Sequence, residues 1–127
     1  MAGNSWQQPV AGEPSLGTPH FHRWNSGIAV PAGTGQQTLS LVGQVPTGTK
    51  AVFCYMGVMS AGVSSAKWIQ VEDAAGNRTA WSGRNQVANA MISGSGFAPV
   101  DGNLNMFWRV GDVALTGIEL VIVPYFI

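Results

Sequence analysis

Charged residues are scarce in this chain: six Lys and Arg and six Asp and Glu make up only 9% of its 127 residues. Average soluble domains contain roughly 25%. The formal net charge is zero, and the few basic residues form no patch, which argues against nucleic acid as a partner. A monomer with so few surface charges tends to self-associate. We therefore expect a homo-oligomer, or a surface covered by other protein; a small surface rich in Gly, Ser, Thr, Asn and Gln is the alternative.

Cysteine is almost absent too, since Cys54 is the single one. An internal disulfide is excluded, and a thiol inside an apolar segment is expected to be buried and inert. The longest apolar run, Leu120–Ile127, is far too short to span a membrane. The N-terminus has neither a charged region nor an apolar core of the kind a secretory signal requires. We expect no membrane partner and no Sec signal.

The sequence also lacks recognisable catalytic motifs and metal-ligand sets. His20 and His22 would point the same way from an extended segment, but no cysteine or carboxylate lies near them at ligand spacing. Glu72 and Asp73 are adjacent in a predicted strand and would face opposite ways. No serine occupies a Gly-x-Ser-x-Gly elbow. We expect a non-enzymatic protein with no metal and no other cofactor, in which the two histidines pack or lie at an interface.

The first 25 residues differ from the rest of the chain. Three prolines, Pro9, Pro14 and Pro19, disfavour helix and strand pairing, yet the segment carries large apolar residues that a solvated linker would not need. We predict an extended docking arm over residues 1–25 and a folded domain over residues 26–127. The alternative is that the arm folds back on its own domain. The residues expected to bind a partner are Trp6, Val10, Leu16, Phe21 and Trp24.

The remaining chain has short strand-like segments separated by turn residues. Lys50–Met59 is apolar at odd and at even positions, which predicts a central strand buried on both faces, or one covered by a partner subunit. A hairpin is predicted at Ala74–Asn77 and a two-residue turn at Asp101-Gly102. Ser93–Gly96 is expected to be a flexible break. Further strands are predicted at Gly27–Val30, Gln37–Val42, Lys67–Asp73, Arg78–Ser82, Gln86–Ile92, Phe97–Val100, Leu104–Val110 and Gly117–Ile127.

Eight or nine strands without a convincing helix predict an all-β protein: a single β-sandwich of jelly-roll type with an extended N-terminal arm. Three tryptophans in the strand region have two possible roles. Aromatic rings stack on the apolar faces of sugars, and bulky aromatics also serve as core or subunit-contact residues. The residues concerned are Trp68, Trp81 and Trp108.

Residues 45–127 resemble the small β-sandwich domains of bacteriophage virion proteins, in particular capsid decoration and head-fibre proteins and the C-terminal domains of tail fibres. Three segments carry the resemblance: the turn and strand start Val45–Val52, the segment Pro99–Asn103 leading into Phe107–Val110, and the apolar strand Ile118–Phe126 close to the C-terminus. The chain departs from a tail fibre because a short arm, and no long fibrous shaft, precedes the predicted sandwich.

The resemblance implies a virion structural protein, assembled in the host cytoplasm, that decorates or cements a capsid. Its implied partners are other virion proteins, the major capsid protein foremost, and its implied oligomeric state is a homotrimer. The alternative function is a tail-fibre or tail-tip protein that binds a receptor or a glycan.

Overall fold

The computed structural model describes residues 28–126, the last four of them by their backbone. These residues form seven β-strands and no helix: β1 (Gln37–Ser40), β2 (Ala51–Met59), β3 (Ile69–Glu72), β4 (Arg78–Trp81), β5 (Ile92–Pro99), β6 (Asn105–Val110) and β7 (Gly117–Phe126). In this part of the chain there is accordingly no helix that could cross a membrane.

The strands form two antiparallel sheets, a four-stranded sheet in the order β1-β6-β3-β4 and a three-stranded sheet in the order β5-β2-β7. Apolar side chains from the two facing surfaces make one core, so the predicted all-β sandwich is confirmed. The jelly-roll assignment stays a prediction, since a jelly roll has eight strands and residues 28–126 supply seven. The predicted arm at residues 1–25 lies outside the described residues.

The central position of β2 is confirmed, because it pairs with β5 on one side and β7 on the other. Its inward residues, Val52, Cys54, Met56 and Val58, are all fully buried. The outward set is not buried to the same degree, and Tyr55 is 47% exposed. Burial of both faces within the chain is therefore wrong, because no layer of residues 28–122 covers the outer face completely; coverage by a partner subunit stays a prediction.

Strand β7 combines an apolar sequence with a proline that disrupts regular pairing. The register between β2 and β7 shifts between Val52, which pairs with Tyr125, and Phe53, which pairs with Val123. Pro124 is the extra residue of this bulge. Proline lacks an N–H and is tolerated at bulges and on edge strands, and β7 is an edge strand. The strand can therefore accommodate a residue that would break a central one.

The predictions around the glycine–serine run were wrong. Residues 86–91 form no strand, and Ser93–Gly96, expected to be a flexible break, lies in the middle of β5. The cause is a close approach of the two sheets. An ideal Cβ on Gly94 would lie 2.0 Å from the carbonyl oxygen of Trp81, and one on Gly96 would lie 2.5 Å from the Cβ of Ala80. Glycine is required here so that the backbone of β4 can pack on β5.

Two smaller corrections concern the ends of the strands. Residues 28–30 form no edge strand, although Ile28 and Val30 pack against the core. Asp101-Gly102 lies in a turn, but the turn connects β5 to β6 in the opposite sheet and makes no hairpin.

The hairpin at Ala74–Asn77 is confirmed, since β3 and β4 are antiparallel neighbours. There the side chain and backbone of Asn77 donate to Asp73, which lowers the pKa of that carboxyl.

Candidate interaction faces

Ser60 lies beside Lys67. A serine and a lysine can together serve nucleophilic catalysis, but the hydrogen bonds of this pair connect two loops. The Nζ of Lys67 donates to the Oγ of Ser60 at 2.8 Å, and that Oγ donates to the carbonyl oxygen of Ala114 at 3.0 Å. Ser60 is only 1% exposed. Because its proton is already engaged and no substrate can reach the oxygen, we interpret the pair as a tie between the loops that follow β2 and β6.

The only cysteine is inert by position. Cys54 lies on the inner face of β2 and is fully buried, and this burial raises the pKa of its thiol to about 12. The thiolate, which is the reactive form of cysteine, is therefore nearly absent at neutral pH.

This leads to a direct prediction for Cys54. Iodoacetamide at about pH 8, close to the ordinary pKa of a thiol, is expected to leave the folded protein unmodified over hours, and to alkylate it within minutes in denaturing urea. Intact-mass spectrometry measures the addition. Equal rates in the two conditions would mean that β2 is accessible from solvent, contrary to the sandwich described above.

Metal binding finds no support in the described residues. No group of three or more His, Cys, Asp or Glu side chains within residues 28–122 could hold an ion. His20 and His22 lie outside the described residues. A cavity of about 60 Å³ lies between the loop before β2 and the β5–β6 connection, lined in part by Lys50 and Asp101. It has room for a few waters, whereas ligand pockets span roughly 300–1,000 Å³.

The outer face of the three-stranded sheet carries a cluster of aromatic side chains, which we call the aromatic face: Phe53, Tyr55 and Phe97, with Met91 beside them. The ring of Phe53 meets the rings of Tyr55 and Phe97 edge to face, with centroids 5.5 Å and 5.2 Å apart. Tyr55 and Phe97 are about half exposed, and Met91 covers Gly57 of β2. Aromatic and methionine side chains are enriched at the centre of protein interfaces.

The outer face of the four-stranded sheet has a different character. Its centre is Trp81 on β4, with the guanidinium carbon of Arg78 4.5 Å and that of Arg84 5.9 Å from the ring centroid. Both distances are within cation–π range. We call these three residues the arginine–tryptophan surface. Gly83, with φ +79, takes the chain out of the strand after Trp81 and so allows Arg84 to return to the same ring.

Beside this surface lies a buried ion pair. Glu72 on β3 is fully buried although its side chain belongs to the outer set of the strand. The Nε of Arg109 donates to both of its carboxylate oxygens, at 2.9 Å and 3.1 Å. The side-chain amides of Gln36 and Gln70 donate to the same carboxylate at 3.1 Å and 2.9 Å. Together these hydrogen bonds compensate for the loss of water around the Glu72 carboxylate, whose burial without partners would be very costly.

The structure separates the three tryptophans that the sequence grouped. Trp108 is 4% exposed and shares the inward face of β6 with Met106 and Val110, so the core role considered for it is confirmed and a glycan or subunit contact through it is wrong. Trp68 is half-buried and packs over Gly111, where a Cβ would lie 2.4 Å from its ring. Trp81 alone lies on an open sheet face.

The sequence reasoning missed the aromatic face and both arginines. The signal for the first was present, since Phe53 and Tyr55 occupy the odd positions of a strand whose even positions fill the core. The arginine–tryptophan surface could not be seen from spacing, because residues three apart in a strand point to opposite faces. The partner-binding residues proposed for the arm, Trp6, Val10, Leu16, Phe21 and Trp24, lie outside the described residues.

Comparison of this chain with family models, with curated proteins and with solved structures gives no match.

Proposed function

We propose that this protein is a non-enzymatic structural protein of a bacteriophage virion, a small sandwich that decorates or cements the capsid. The observation that supports the proposal best is the aromatic face. The core is complete without these aromatic rings, since the inward side chains of β2 and β7, Val52 and Ile122 among them, are already buried. Aromatic rings held outside a finished core stabilise the folded monomer little, and they favour contact with another protein.

The attachment device in this proposal is the N-terminal segment. Residues 1–25 fully extended reach at most roughly 80–90 Å at about 3.3–3.6 Å per residue, enough to cross to a neighbouring subunit. The prolines restrict the free segment and so reduce the entropy lost on docking. Each tryptophan buried on the partner contributes a few kcal/mol at roughly 25 cal/mol per Å². Trp6 and Trp24 are the two strongest anchors in this scheme.

The proposal is tested by electron microscopy of particles from the source lysate, labelled with gold-conjugated antibodies raised against this chain. Label distributed over the heads is expected. Label confined to the tail tip favours the alternative, a receptor- or glycan-binding protein, which the half-buried position of Trp81 on an outer sheet face supports. Glycan-array binding that is lost in a Trp81→Ala variant would then establish that alternative. Particles without label would contradict a virion function altogether.

Self-association is the second part of the proposal, with a homotrimer as the expected state and the aromatic face as the contact. Tyr55→Ser removes a half-exposed ring from the centre of that face, so we expect sedimentation to show at least a tenfold weaker association, about 1.4 kcal/mol or more. Val42→Ser is the matched control, because Val42 is 66% exposed in a loop away from this face. A monomer at micromolar and higher concentration, or equal effects of both variants, would refute this contact.

A further inference from the structure

The arginine–tryptophan surface concentrates positive charge on a protein that has no net charge. The outer face of the four-stranded sheet carries Arg78, Arg84 and Arg109, half of the six basic residues in the sequence. Arg109 is paired with the buried carboxylate of Glu72. Asp73, at the nearby turn, accepts hydrogen bonds from Ala75 and Asn77. Arg78 lies opposite Glu72 in the pairing of β4 with β3, but among the described residues neither Arg78 nor Arg84 forms an ion pair.

The two unpaired guanidinium groups are held near each other by one ring. The two guanidinium carbons lie 4.5 Å and 5.9 Å from the Trp81 centroid, so they are at most roughly 10 Å apart, about the Debye length at 0.1 M salt. Two like charges at this spacing repel, and nothing in the packing of the core requires either residue. An anionic group bound between them removes the repulsion.

The hydrogen-bonding groups indicate which anion fits. Each guanidinium has five N–H donors in a planar fork that matches a carboxylate bidentately. Among residues 28–126 no acceptor takes a hydrogen bond from Arg78 or Arg84. The surface thus offers two carboxylate-binding forks next to one indole ring.

We propose that the arginine–tryptophan surface binds a carboxylate-rich segment of a partner protein. Charge complementarity selects an acidic partner. The side chains stand outward from a strand and its following turn, which suits a protein surface better than a small molecule, and Trp and Arg are the residues that most often dominate such interfaces. The inference rests on the proposed docking function, for which it names the chemistry of the partner.

The test is a titration of the full-length, ¹⁵N-labelled protein with a hexaglutamate peptide, followed by NMR at the indole N–H of Trp81, which is assigned with a Trp81→Phe variant. Saturable shifts at Trp81 are expected. The affinity should fall at least about fivefold between roughly 20 mM and 150 mM salt, as expected for a contact between exposed charges. Hexalysine should cause no shift. The titration uses a synthetic peptide and no virion. A failure of this inference can therefore be told apart from a failure of the proposed virion function, which particle labelling tests.

Charge variants identify the site. Arg78→Gln and Arg84→Gln should each weaken hexaglutamate binding at least about fivefold. Lysine at either position should bind more tightly than glutamine and more weakly than arginine, because it keeps the charge but lacks the planar fork. Lys50→Gln, which removes an equal charge from an exposed residue near the opposite sheet, should change the affinity less than about twofold. The proposal would be overturned if hexaglutamate caused no shift at Trp81 in the unmodified protein, or if all single-charge variants had equal effects. It would also be overturned if trigalacturonate, a carboxylated sugar, bound more tightly than hexaglutamate.

Discussion

Replacement of Gly94 by alanine is expected to destabilise the sandwich by about 3 kcal/mol or more. The added methyl group would lie 2.0 Å from the carbonyl oxygen of Trp81 and 2.9 Å from the Cα of Ser82. These are backbone atoms, so no side-chain rotation can relieve the overlap. β4 and β5, which are edge strands of different sheets, would have to move apart and expose core residues.

Urea unfolding measures this effect, with Gly102→Ala as the control. No atom lies within 4 Å of an ideal Cβ on Gly102, so its replacement should change the free energy of unfolding by no more than about 1 kcal/mol in either direction. If Gly94→Ala unfolded at the same urea concentration as Gly102→Ala, the close packing of β4 on β5 would be wrong.

The second large effect is expected for Glu72→Ala, at about 2–4 kcal/mol. Loss of the carboxylate removes the ion pair with Arg109 and leaves the buried amide of Gln70 without its acceptor. Breaking a fully buried pair costs about 3–5 kcal/mol. The side chain of Arg109 is 33% exposed and can regain water, which lowers the expected cost to about 2–4 kcal/mol.

Glu119→Ala is the control for charge removal, since Glu119 lies on β7 outside this network and its loss should cost less than about 1 kcal/mol. A double-mutant cycle of Glu72→Ala with Arg109→Ala should give a coupling free energy of about 1–3 kcal/mol. Additive effects of the two substitutions would show that the ion pair contributes nothing to stability.

The sequence predicted the parts of the fold that depend on local pattern. The apolar run at Lys50–Met59 was correctly placed as a central strand, and Ala74–Asn77 as a hairpin. The final strand was predicted at Gly117–Ile127, and β7 spans Gly117–Phe126. These features follow from side-chain alternation and turn chemistry, which act over a few residues.

The errors arose where distant residues decide the structure. Ser93–Gly96 resembles a linker in isolation, and it becomes a strand because Gly94 and Gly96 admit the backbone of β4. Trp108 was left with two possible roles, and the alternation of Met106, Trp108 and Val110 already indicated the one that the structure bears out, a core residue. Arg78 and Trp81 share a face because the register of β3 and β4 shifts between them, and Arg84 returns to the ring through the turn at Gly83; no spacing rule specifies either.

The central claim, that this chain acts by attaching to a virion through its N-terminal segment, is tested most directly by measuring occupancy on capsids that lack the chain. Capsids are incubated with the purified protein or with a variant that lacks residues 1–19, and bound copies are counted by quantitative mass spectrometry after sedimentation. We expect the full chain to saturate the capsid and the truncated chain to stay in the supernatant with its thermal unfolding nearly unchanged; Trp6→Ala should bind partially. A full-length protein that does not sediment with capsids would contradict the claim, and a truncated protein that binds at full occupancy would show that the sheet faces are the attachment device.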